Sequence, residues 1–491
     1  MSTAVSGAPV AAIDLGATSG RVMIGEMVGG RVELQLVHRF ANGALPLATF
    51  EPQAPAESLA WDLDRLWTEI RHGLRLAFAQ RPDIASIGVD SWAVDYALLK
   101  GGERLGQVRH YRDPRNERAV TVLEQHFGRE QLYARNGLQY LPFNTVYQLQ
   151  AEQDEARWAE ADTLLLVPDY INWLLTGATR SEWTNVSTTG LLDQGTGTWD
   201  TGLVEHLQLA GKLPELIQPG QSVGALRPGL AEELGAPVGV QVIAVASHDT
   251  ASAVAAAPLE GSRSAYVSCG TWGLVGVELQ SPVLTEQART SGFTNELGID
   301  STVRFLKNVT GTWLLSESIS YWNGQDASHQ VTLAEVLAEA GTLPVPQVLI
   351  DPQDERYLAP GDIPERINRE VVAAGGQPLR TKAQVVRVVI ESLAESFARQ
   401  SFAAARFAGF EPESIHVVGG GSQGELLCQR TADRAGVPVV AGPVECTALG
   451  NVLVQLRALD EHDWEPGKLR DLVRNSISLT HHQPEKVNSV A

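Results

Sequence analysis

Three short segments of the sequence combine glycine with hydroxyl and acidic residues in a way that suits phosphate binding. They are residues 14–21 (DLGATSGR), residues 247–252 (SHDTAS) and residues 419–424 (GGGSQG). Each follows an apolar run that predicts a buried strand, so the turn after it can direct backbone N–H groups towards phosphate oxygens. Together the three segments predict a nucleotide-binding site.

The first segment predicts a hairpin loop between two strands. Gly16 and Gly20 would let the backbone approach an anion closely, and the hydroxyl groups of Thr18 and Ser19 could donate to the same anion. Asp14, at the end of the preceding strand, could hold Mg²⁺ through a water molecule. An ordinary polar hairpin explains these residues equally well when the segment is considered alone.

The middle segment contains the best candidate for a general base. Residues 247–257 predict the end of a strand followed by an alanine-rich helix, which places Asp249 near the positive end of the helix dipole. In phosphoryl transfer, a carboxylate can orient the attacking hydroxyl and accept its proton late in the reaction. Helix capping is the alternative role for Asp249. Residues 268–271 (SCGT) then form a second turn of similar composition, with a plain hairpin as the alternative.

Residues 88–96 (GVDSWAVDY) end an apolar strand with carboxylates beside aromatic rings. The stretch contains Asp90, Trp92, Asp95 and Tyr96. An aromatic ring packs well against the C–H face of a sugar, whose hydroxyl groups need buried acceptors. Considered alone, however, the stretch is better explained as a strand edge with core aromatics.

The glycine segment at residues 419–424 leaves two cofactors open. Its Gly-x-Gly-x-x-Gly spacing after a strand, with Glu445 further along, matches the dinucleotide fingerprint and makes an NAD-dependent dehydrogenase an alternative. Against this, too few residues follow the motif to complete a dinucleotide-binding sheet. A glycine platform for an adenine nucleotide fits equally well, whereas the sequence contains no P-loop motif.

Length and composition indicate two large domains and exclude several classes of protein. A chain of 491 residues is too long for one core, and its net charge of −20 disfavours nucleic-acid binding, which requires many Lys and Arg side chains. Three cysteines without paired spacing disfavour a disulfide framework or a zinc site. Because the sequence shows neither a signal peptide nor an apolar run of about 18 residues, we expect a cytoplasmic protein with no membrane partner.

The elements that must position these residues follow a similar order in both halves of the chain. Each half predicts strands, then a long helix, then a further strand, which indicates mixed sheets with helices on their faces. A Gly- and Pro-rich stretch before the strand at residues 241–246 places the domain boundary near residue 247. The predicted elements are strands at residues 10–14, 21–26, 32–38 and 84–90 around a helix near residues 63–78, and strands at residues 264–268, 274–279, 304–306 and 415–418 around a helix at residues 383–408.

Taken together, these segments resemble the FGGY family of carbohydrate kinases, the sugar-kinase branch of the actin-like ATPase superfamily. Within the family the chain is most similar to the kinases of L-rhamnulose, from about residue 10 to residue 460. Besides the loops above, the resemblance rests on residues 38–43 (HRFANG), 111–115 (YRDPR), 141–145 (LPFNT), 168–170 (PDY), 246–253 (ASHDTASA), 306–308 (LKN) and 441–445 (AGPVE).

The resemblance implies an α/β fold of two actin-like (ribonuclease H-like) domains. Each domain would contain a mixed five-stranded sheet flanked by helices, with the active site in the cleft between the domains. Residues 1–247 would form the N-terminal domain with the sugar site and phosphate loop, residues 248–470 the C-terminal domain that binds ATP, and residues 471–491 a tail.

The resemblance also implies a role for each candidate site residue. Asp249 would be the general base and Asp14 would hold Mg²⁺ through water. Ala93 stands where the family commonly has Gly, and Ser316 where it has a Gln that helps to hold the nucleotide. The sugar would be bound by Trp92, Ala93, His248, Asp249, Thr250 and Asn308, and ATP by Ala17, Thr18, Ser19, Gly20, Arg21, Thr271, Ser316 and Gly421.

The implied activity is ATP- and Mg²⁺-dependent phosphorylation of the C1 hydroxyl of L-rhamnulose, giving L-rhamnulose 1-phosphate and ADP in L-rhamnose catabolism. A kinase of L-fuculose or another ketose is the alternative within the class. An actin-like or chaperone-like ATPase is the alternative outside it. The expected partners are the sugar and ATP, and the chain is expected to be a monomer or a homodimer.

Overall fold

The apolar runs of the sequence become strands of two large sheets, each belonging mainly to one of two units of the chain. The computed structural model describes residues 7–326, 328–357, 359–460, 464 and 467–485. The first unit comprises the residues up to Ala256 together with Leu279–Phe305 and Cys446–Ser476. The second unit comprises Ala257–Glu278, Leu306–Glu445 and the residues from Ile477 onwards.

Strands and α-helices are interspersed along the whole chain. The strands are β1 (Val10–Leu15), β2 (Ser19–Val28), β3 (Arg31–Ala41), β4 (Leu45–Pro46), β5 (Leu59–Trp61), β6 (Ser86–Ser91), β7 (Tyr96–Lys100), β8 (Glu103–Arg104), β9 (Val108–Arg109), β10 (Thr163–Leu166), β11 (Arg180–Glu182), β12 (Leu192–Asp193), β13 (Thr198–Trp199), β14 (Glu215–Ile217), β15 (Ser222–Ala225), β16 (Gln241–Ile243), β17 (Ser264–Cys269), β18 (Trp272–Leu279), β19 (Thr294–Leu297), β20 (Val303–Thr310), β21 (Ser414–Val418), β22 (Val439–Ala441) and β23 (Thr480–His482). The α-helices are α1 (Leu63–Gln80), α2 (Arg115–Glu124), α3 (Arg129–Asn136), α4 (Thr145–Glu152), α5 (Ala156–Glu160), α6 (Val167–Thr176), α7 (Trp183–Val186), α8 (Thr201–His206), α9 (Pro228–Leu234), α10 (Asp249–Ala256), α11 (Glu286–Thr290), α12 (Trp313–Gln325), α13 (Leu333–Gly341), α14 (Ile363–Ala373), α15 (Lys382–Phe407), α16 (Glu425–Ala435), α17 (Cys446–Leu459) and α18 (Lys468–Ser476).

The sheet of the first unit has the strand order β15-β16-β6-β1-β2-β3. Its central strands β1 and β6 are parallel to each other and buried along their whole length, as expected where helices cover a sheet. Helix α1 packs against β2 and β3, and α17 packs against β1 and β6. Asp62 caps α1 by accepting a 2.9 Å hydrogen bond from the backbone N–H of Arg65. The predicted order of three strands, a helix and a strand is confirmed.

The second large sheet has the strand order β19-β20-β18-β17-β21-β22-β23. Its strand β17 is antiparallel to β18 and parallel to β21, which repeats the relation of β1 to β2 and β6. Helix α15 begins with a capping box at Thr381 and packs against β17 and α16. The mixed α/β fold class and the long helix near residues 383–408 are therefore confirmed.

Both sheets are wider than the five strands predicted for each domain. In the described residues the first sheet has six strands and the second has seven. Edge strand β15 falls in the Gly- and Pro-rich stretch and edge strand β23 in the predicted tail, where the sequence shows no strand pattern. The domain boundary near residue 247 remains a prediction, while the compact units first divide between Ala256 and Ala257. The last residues of the predicted tail, 486–491, lie outside the described residues.

Candidate active site

The first phosphate-loop candidate connects β1 to β2, as the sequence predicts. Asp14 and Arg21 are partners in the antiparallel ladder, and Arg21 Nε donates a 2.9 Å hydrogen bond to Asp14 Oδ2. On the other side of β1, Asp90 of β6 is the parallel partner of Asp14. Two carboxylates and one guanidinium therefore lie on three adjacent strands at one end of the sheet. Adjacent strands are about 4.8 Å apart, so these groups are close to one another.

Asp90 belongs with Asp14 rather than with the aromatic residues near it in sequence. It is fully buried, and its Oδ2 accepts a 2.6 Å hydrogen bond from Asn451 of α17. Burial first, and then the negative charges of Asp14 and Asp249, hold the pKa of Asp90 well above its usual range, despite Asn451 and Arg21. The sequence did not predict that Asp90 lies beside Asp14, because it shows only the neighbours of Asp90 along the chain.

The carboxylate pair fits a Mg²⁺ ion that is bound jointly with phosphate oxygens. Asp90 Oδ1 is buried and has no hydrogen-bond partner among the described residues, and a cation would relieve the repulsion from Asp14. In phosphoryl-transfer sites Mg²⁺ commonly takes one or two carboxylates together with substrate phosphates and water. The described residues contain no group of three or more His, Cys, Asp or Glu placed to hold a metal ion. Asp14 as a Mg²⁺ residue therefore stays a prediction.

Asn42, in the HRFANG segment directly after β3, holds this loop through two hydrogen bonds. Its backbone N–H donates to Thr18 O and its side-chain Nδ2 to Gly16 O, both at 2.9 Å. Thr18 itself is exposed, and its neighbours Ala17 and Ser19 are half-buried. The clamp fixes the loop while leaving the hydroxyl group of Thr18 accessible.

Gly20 is required by packing rather than by an unusual backbone angle. A Cβ at this position would overlap the ring of Phe40 on β3. Since Phe40 and Asn42 belong to the same segment, residues 38–43 shape the loop in two ways. The resemblance included this segment, but the sequence did not show that the segment shapes the loop.

The ends of β1 and β6 meet the segment that precedes α10. Ser91 donates its backbone N–H to Ser247 O at 2.9 Å, and Trp92 donates its backbone N–H to Leu15 O at 3.0 Å. Buried Glu182 holds the same segment by accepting hydrogen bonds from the backbone N–H and the hydroxyl group of Ser247, at 3.0 and 2.7 Å. These contacts bring Asp249 to the same end of the sheet as Asp14 and Asp90.

Asp249 is the first residue of α10, and its side chain is 33% exposed. In the part of the chain that the structure describes, its carboxylate accepts a 3.1 Å hydrogen bond from the Thr250 hydroxyl and caps no backbone N–H. The turn is instead closed by the carbonyl group of His248, which accepts from Ala251 N–H at 2.7 Å. The capping alternative for Asp249 is therefore wrong, and a carboxyl group within reach of solvent remains at the helix N-terminus.

On the sugar side, Trp92 lies in the core. It is 5% exposed, its ring centroid is 4.1 Å from that of Trp61, and its Nε1 donates to Asp95 Oδ2 at 3.1 Å. This placement matches the core-aromatic alternative for the stretch. A direct role for Trp92 in sugar binding stays a prediction, and its contact with Asp95 supports the turn beside Ala93.

Ala93 begins a strained turn. Val94 has a φ of 69°, which a β-branched residue rarely adopts, and Asp95 donates its backbone N–H to Ala93 O at 2.9 Å. Thr145 Oγ1 holds the carbonyl group of Val94 at 2.7 Å, which gives the LPFNT segment a role. Strained backbone of this kind persists only where its surroundings fix it, and it occurs often at functional sites.

Asp95 is the centre of those surroundings. Its buried carboxylate accepts hydrogen bonds from Trp61 Nε1 at 2.6 Å and from Gln148 Nε2 at 2.9 Å. Burial raises the pKa of Asp95 to about 7, although the donors Trp61, Gln148 and Trp92 oppose the rise. These partners come from distant parts of the chain, so the sequence alone could not identify Asp95 as a support for Ala93.

The second unit brings two candidate nucleotide segments together. Thr271 lies in the hairpin between β17 and β18, and Gly421 lies in the loop after the adjacent strand β21. A Cβ on Gly421 would overlap Cys269, two residues before Thr271. The two segments are thus neighbours, in agreement with their joint assignment to ATP.

The other candidates of the second unit are Ser316 and Asn308. Ser316 is exposed in the first turn of α12, where its hydroxyl group donates to Thr312 O at 3.2 Å. Asn308 is half-buried on β20. The assigned roles of both residues stay predictions.

Two further expectations can be compared with the described residues. Cys269, Cys428 and Cys446 are all buried and free of disulfide bonds, and burial raises the pKa of Cys269 and of Cys428 to about 12. No helix in the described ranges has the length and apolar character needed to cross a membrane.

Comparison with known proteins identifies both halves of the chain. Residues 10–255 match the N-terminal domain of the FGGY family of carbohydrate kinases, and residues 265–459 match its C-terminal domain. The rhamnulokinase of Oceanobacillus iheyensis is 37% identical, over 95% of this chain and 97% of its own length. The rhamnulokinase of Pectobacterium atrosepticum is 39% identical, over 97% of this chain and 92% of its own length. The crystal structure of xylulose kinase from Rhodospirillum rubrum has the same fold, with a TM-score of 0.77 at 19% identity over 97% of this chain and 94% of that one.

Proposed function

Since the chain belongs to the FGGY family of carbohydrate kinases, we propose that it transfers the terminal phosphoryl group of ATP to the C1 hydroxyl of L-rhamnulose. The products are L-rhamnulose 1-phosphate and ADP, and the reaction is a step of L-rhamnose catabolism. The similarity to rhamnulokinases over nearly the whole chain supports this substrate. The structural observation that carries the mechanism is the accessible carboxylate of Asp249 at the sheet end that also contains Asp14 and Asp90.

Asp249 acts as the general base. Its carboxylate orients the C1 hydroxyl of the sugar and accepts the hydroxyl proton as the new O–P bond forms and the bond from phosphorus to the ADP oxygen breaks. Thr250 fixes one carboxylate oxygen through its hydroxyl group, so the other oxygen remains for the substrate. The sugar is further bound by His248, by the backbone of Ala93, by Trp92 and by Asn308.

The loop between β1 and β2 binds the terminal phosphates. The hydroxyl groups of Thr18 and Ser19 and the backbone N–H groups of residues 17 and 18, in the turn before β2, donate to phosphate oxygens, and the guanidinium of Arg21 offsets their charge. Asp14 would hold Mg²⁺ through water, and the bound ion would supply positive charge that stabilises the negative charge of the transferred group. In the second unit, Thr271, Ser316 and Gly421 contact the remaining parts of ATP.

A panel of sugars in an ADP-release assay tests the substrate. We expect L-rhamnulose to give the highest kcat/KM among L-rhamnulose, L-fuculose, xylulose and glycerol. Equal turnover of xylulose or glycerol would contradict the substrate assignment, and a preference for L-fuculose would replace it with the nearest alternative. ATP hydrolysis that does not depend on any sugar would indicate the actin-like or chaperone-like ATPase instead.

Replacement of the base tests the mechanism. Asp249→Asn preserves shape but removes basicity, so we expect kcat to fall by at least about a hundredfold while ATP binding is retained. Asp64→Asn is the matched control, because Asp64 also lies in the first turn of a helix and is exposed. Near-normal turnover of Asp249→Asn, or an equal loss in Asp64→Asn, would remove Asp249 from the mechanism.

A dehydrogenase is set aside by the family assignment, since the glycine loop at residues 419–424 lies within the matched kinase domain. We propose a cytoplasmic enzyme with ATP and a sugar as its partners, as a monomer or a homodimer. Light scattering of the purified protein distinguishes these two states.

A further inference from the structure

We propose that Arg304 and Glu296 are positioning residues that hold His248 as a neutral imidazole with its proton on Nε2, the nitrogen that faces Asp249. The proposal deepens the proposed function, because it explains how a histidine beside the base can bind the sugar without competing for the role of base. Neither Glu296 nor Arg304 was singled out as a site residue by the sequence.

The two ring nitrogens of His248 face different partners. Nδ1 lies 3.1 Å from Arg304 Nη2 and 3.3 Å from Glu296 Oε2. Nε2 lies on the opposite side of the ring, 3.4 Å from Asp249 Oδ1. Because the residue is only 6% exposed, these neighbours rather than bulk solvent are the hydrogen-bond partners of its ring.

The Nδ1 contact decides which nitrogen carries the proton. An arginine side chain has only donors, so the hydrogen bond from Arg304 Nη2 requires a lone pair on Nδ1. A hydrogen bond to Glu296 Oε2 would instead require a proton on Nδ1, but Glu296 Oε2 accepts no hydrogen bond from the described residues. With Nδ1 as an acceptor, a neutral ring must carry its proton on Nε2.

Arg304 is held firmly enough to impose this arrangement. Its side chain is completely buried, its Nε donates to Leu297 O at 3.0 Å, and its Nη2 lies 3.1 Å from Glu296 Oε2. Burial by itself would raise the pKa of Glu296, but the pKa is lowered, and the charge of buried Arg304 is the largest cause of the lowering. Glu296 is thus a carboxylate that neutralises Arg304.

The consequence for the reaction concerns Asp249. A positively charged imidazolium beside Asp249 would stabilise the carboxylate and make it a weaker base. A neutral ring with Nε2–H can instead donate a hydrogen bond to a sugar oxygen next to the attacked hydroxyl. Asp249 then remains the group that accepts the proton, while His248 fixes the position of the sugar.

Nitrogen-15 NMR of the histidine rings in the unmodified protein tests the tautomer directly. The spectrum of selectively labelled protein at pH 7.5 is compared with that of His248→Gln to assign the His248 signals. We expect a protonated Nε2 and an unprotonated Nδ1. A proton on Nδ1, with or without one on Nε2, would overturn the proposal. Because this measurement requires no turnover, it remains decisive even if the proposed substrate is wrong.

A kinetic comparison tests the positioning role. Arg304→Lys keeps the positive charge but loses the forked donors, so we expect KM for the sugar to rise by about tenfold, the scale of one hydrogen bond, while KM for ATP stays within about twofold. Arg387→Lys is the matched control, since Arg387 is also buried and lies 3.0 Å from the carboxylate of buried Glu391. An unchanged sugar KM in Arg304→Lys, an equal rise in KM for ATP, or an equal rise of sugar KM in Arg387→Lys would overturn the positioning role.

Discussion

The hairpin between β1 and β2 and the hairpin between β17 and β18 occupy equivalent places in their sheets but differ in charge. In each, the first strand is antiparallel to the second and parallel to a third strand, β6 in one case and β21 in the other. In the first sheet, Asp14 has Arg21 and Asp90 as its ladder partners. In the second, the equivalent position is Ser268, whose partners are Leu274 and Val418.

Both hairpins are nevertheless held by two hydrogen bonds from one residue outside the hairpin. Asn42 clamps the first through its backbone N–H and its side chain. Thr312 clamps the second, because its backbone N–H and its hydroxyl group both donate to Gly270 O, at 2.8 and 2.9 Å. The two hairpins therefore share the way in which they are held but differ in their ladder residues. Similar backbone structures position a charged loop in the first unit and a neutral loop in the second.

The comparison indicates where the charge chemistry of the reaction takes place. Carboxylates that can hold a cation and a guanidinium that can offset phosphate charge are needed where the phosphoryl group is transferred. A neutral, glycine-rich surface suffices to contact the rest of a nucleotide. We therefore expect substitutions at the first hairpin to change kcat and substitutions at the second to change mainly KM for ATP or stability.

The largest difference is expected between Asp14→Asn and Ser268→Ala, which alter the equivalent ladder position. A residue that holds a metal through water typically contributes about 10- to 100-fold to activity or metal affinity, so Asp14→Asn should reduce kcat by that factor and raise the Mg²⁺ concentration needed for half-maximal rate. Ser268→Ala should change kcat by less than about threefold, because a neutral hydrogen bond contributes little. Rates measured at varied Mg²⁺ concentration give both quantities for each variant. Equal losses of kcat in the two variants would mean that the charge difference between the hairpins does not affect the reaction.

The next effect concerns stability and the close packing of the second loop. In Gly421→Ala, the new methyl group would overlap Cys269, so we expect a loss of about 1–3 kcal/mol in the free energy of unfolding. Gly420→Ala is the matched control, because a Cβ there meets no atom within 4 Å. Urea unfolding measures both variants, and equal stability would show that the loop can shift away from Cys269.

Much of the frame of this site was predictable from local sequence patterns, whereas its supports were not. The strand, loop and strand around Asp14 and the helix that starts at Asp249 follow from hydrophobic periodicity and turn residues, so the structure confirms them. Asn42, Asp95 and Glu296 act through contacts with residues that are distant in the sequence. Hydrophobic periodicity does not predict such contacts. Asp90 is evident in the sequence, but its ladder partner Asp14 follows only from the pairing of β1 with β6.

The two clamps test whether the hairpins are held in equivalent ways. Asn42→Ala removes one hydrogen bond to the first loop, and Thr312→Val removes one from the second with little change in shape. We expect each to raise KM for ATP by about 2- to 10-fold, the range for one hydrogen bond, because each loop becomes less well positioned. Initial rates at varied ATP concentration measure this effect. A rise in only one variant would show that the two hairpins contribute unequally to nucleotide binding.

The smallest effect is expected at Ser316, where the resemblance to the family implies a Gln. The hydroxyl group of Ser316 is turned back towards Thr312 O within its own helix, so Ser316→Ala should leave KM for ATP within about twofold. Ser316→Gln extends an amide group from the exposed first turn of α12, and one added hydrogen bond should lower KM for ATP by about 2- to 5-fold without changing kcat. Initial-rate kinetics distinguish the two variants. A change in kcat with either variant would mean that α12 affects phosphoryl transfer itself, whereas a change in KM alone would agree with binding of the rest of the nucleotide by the second unit.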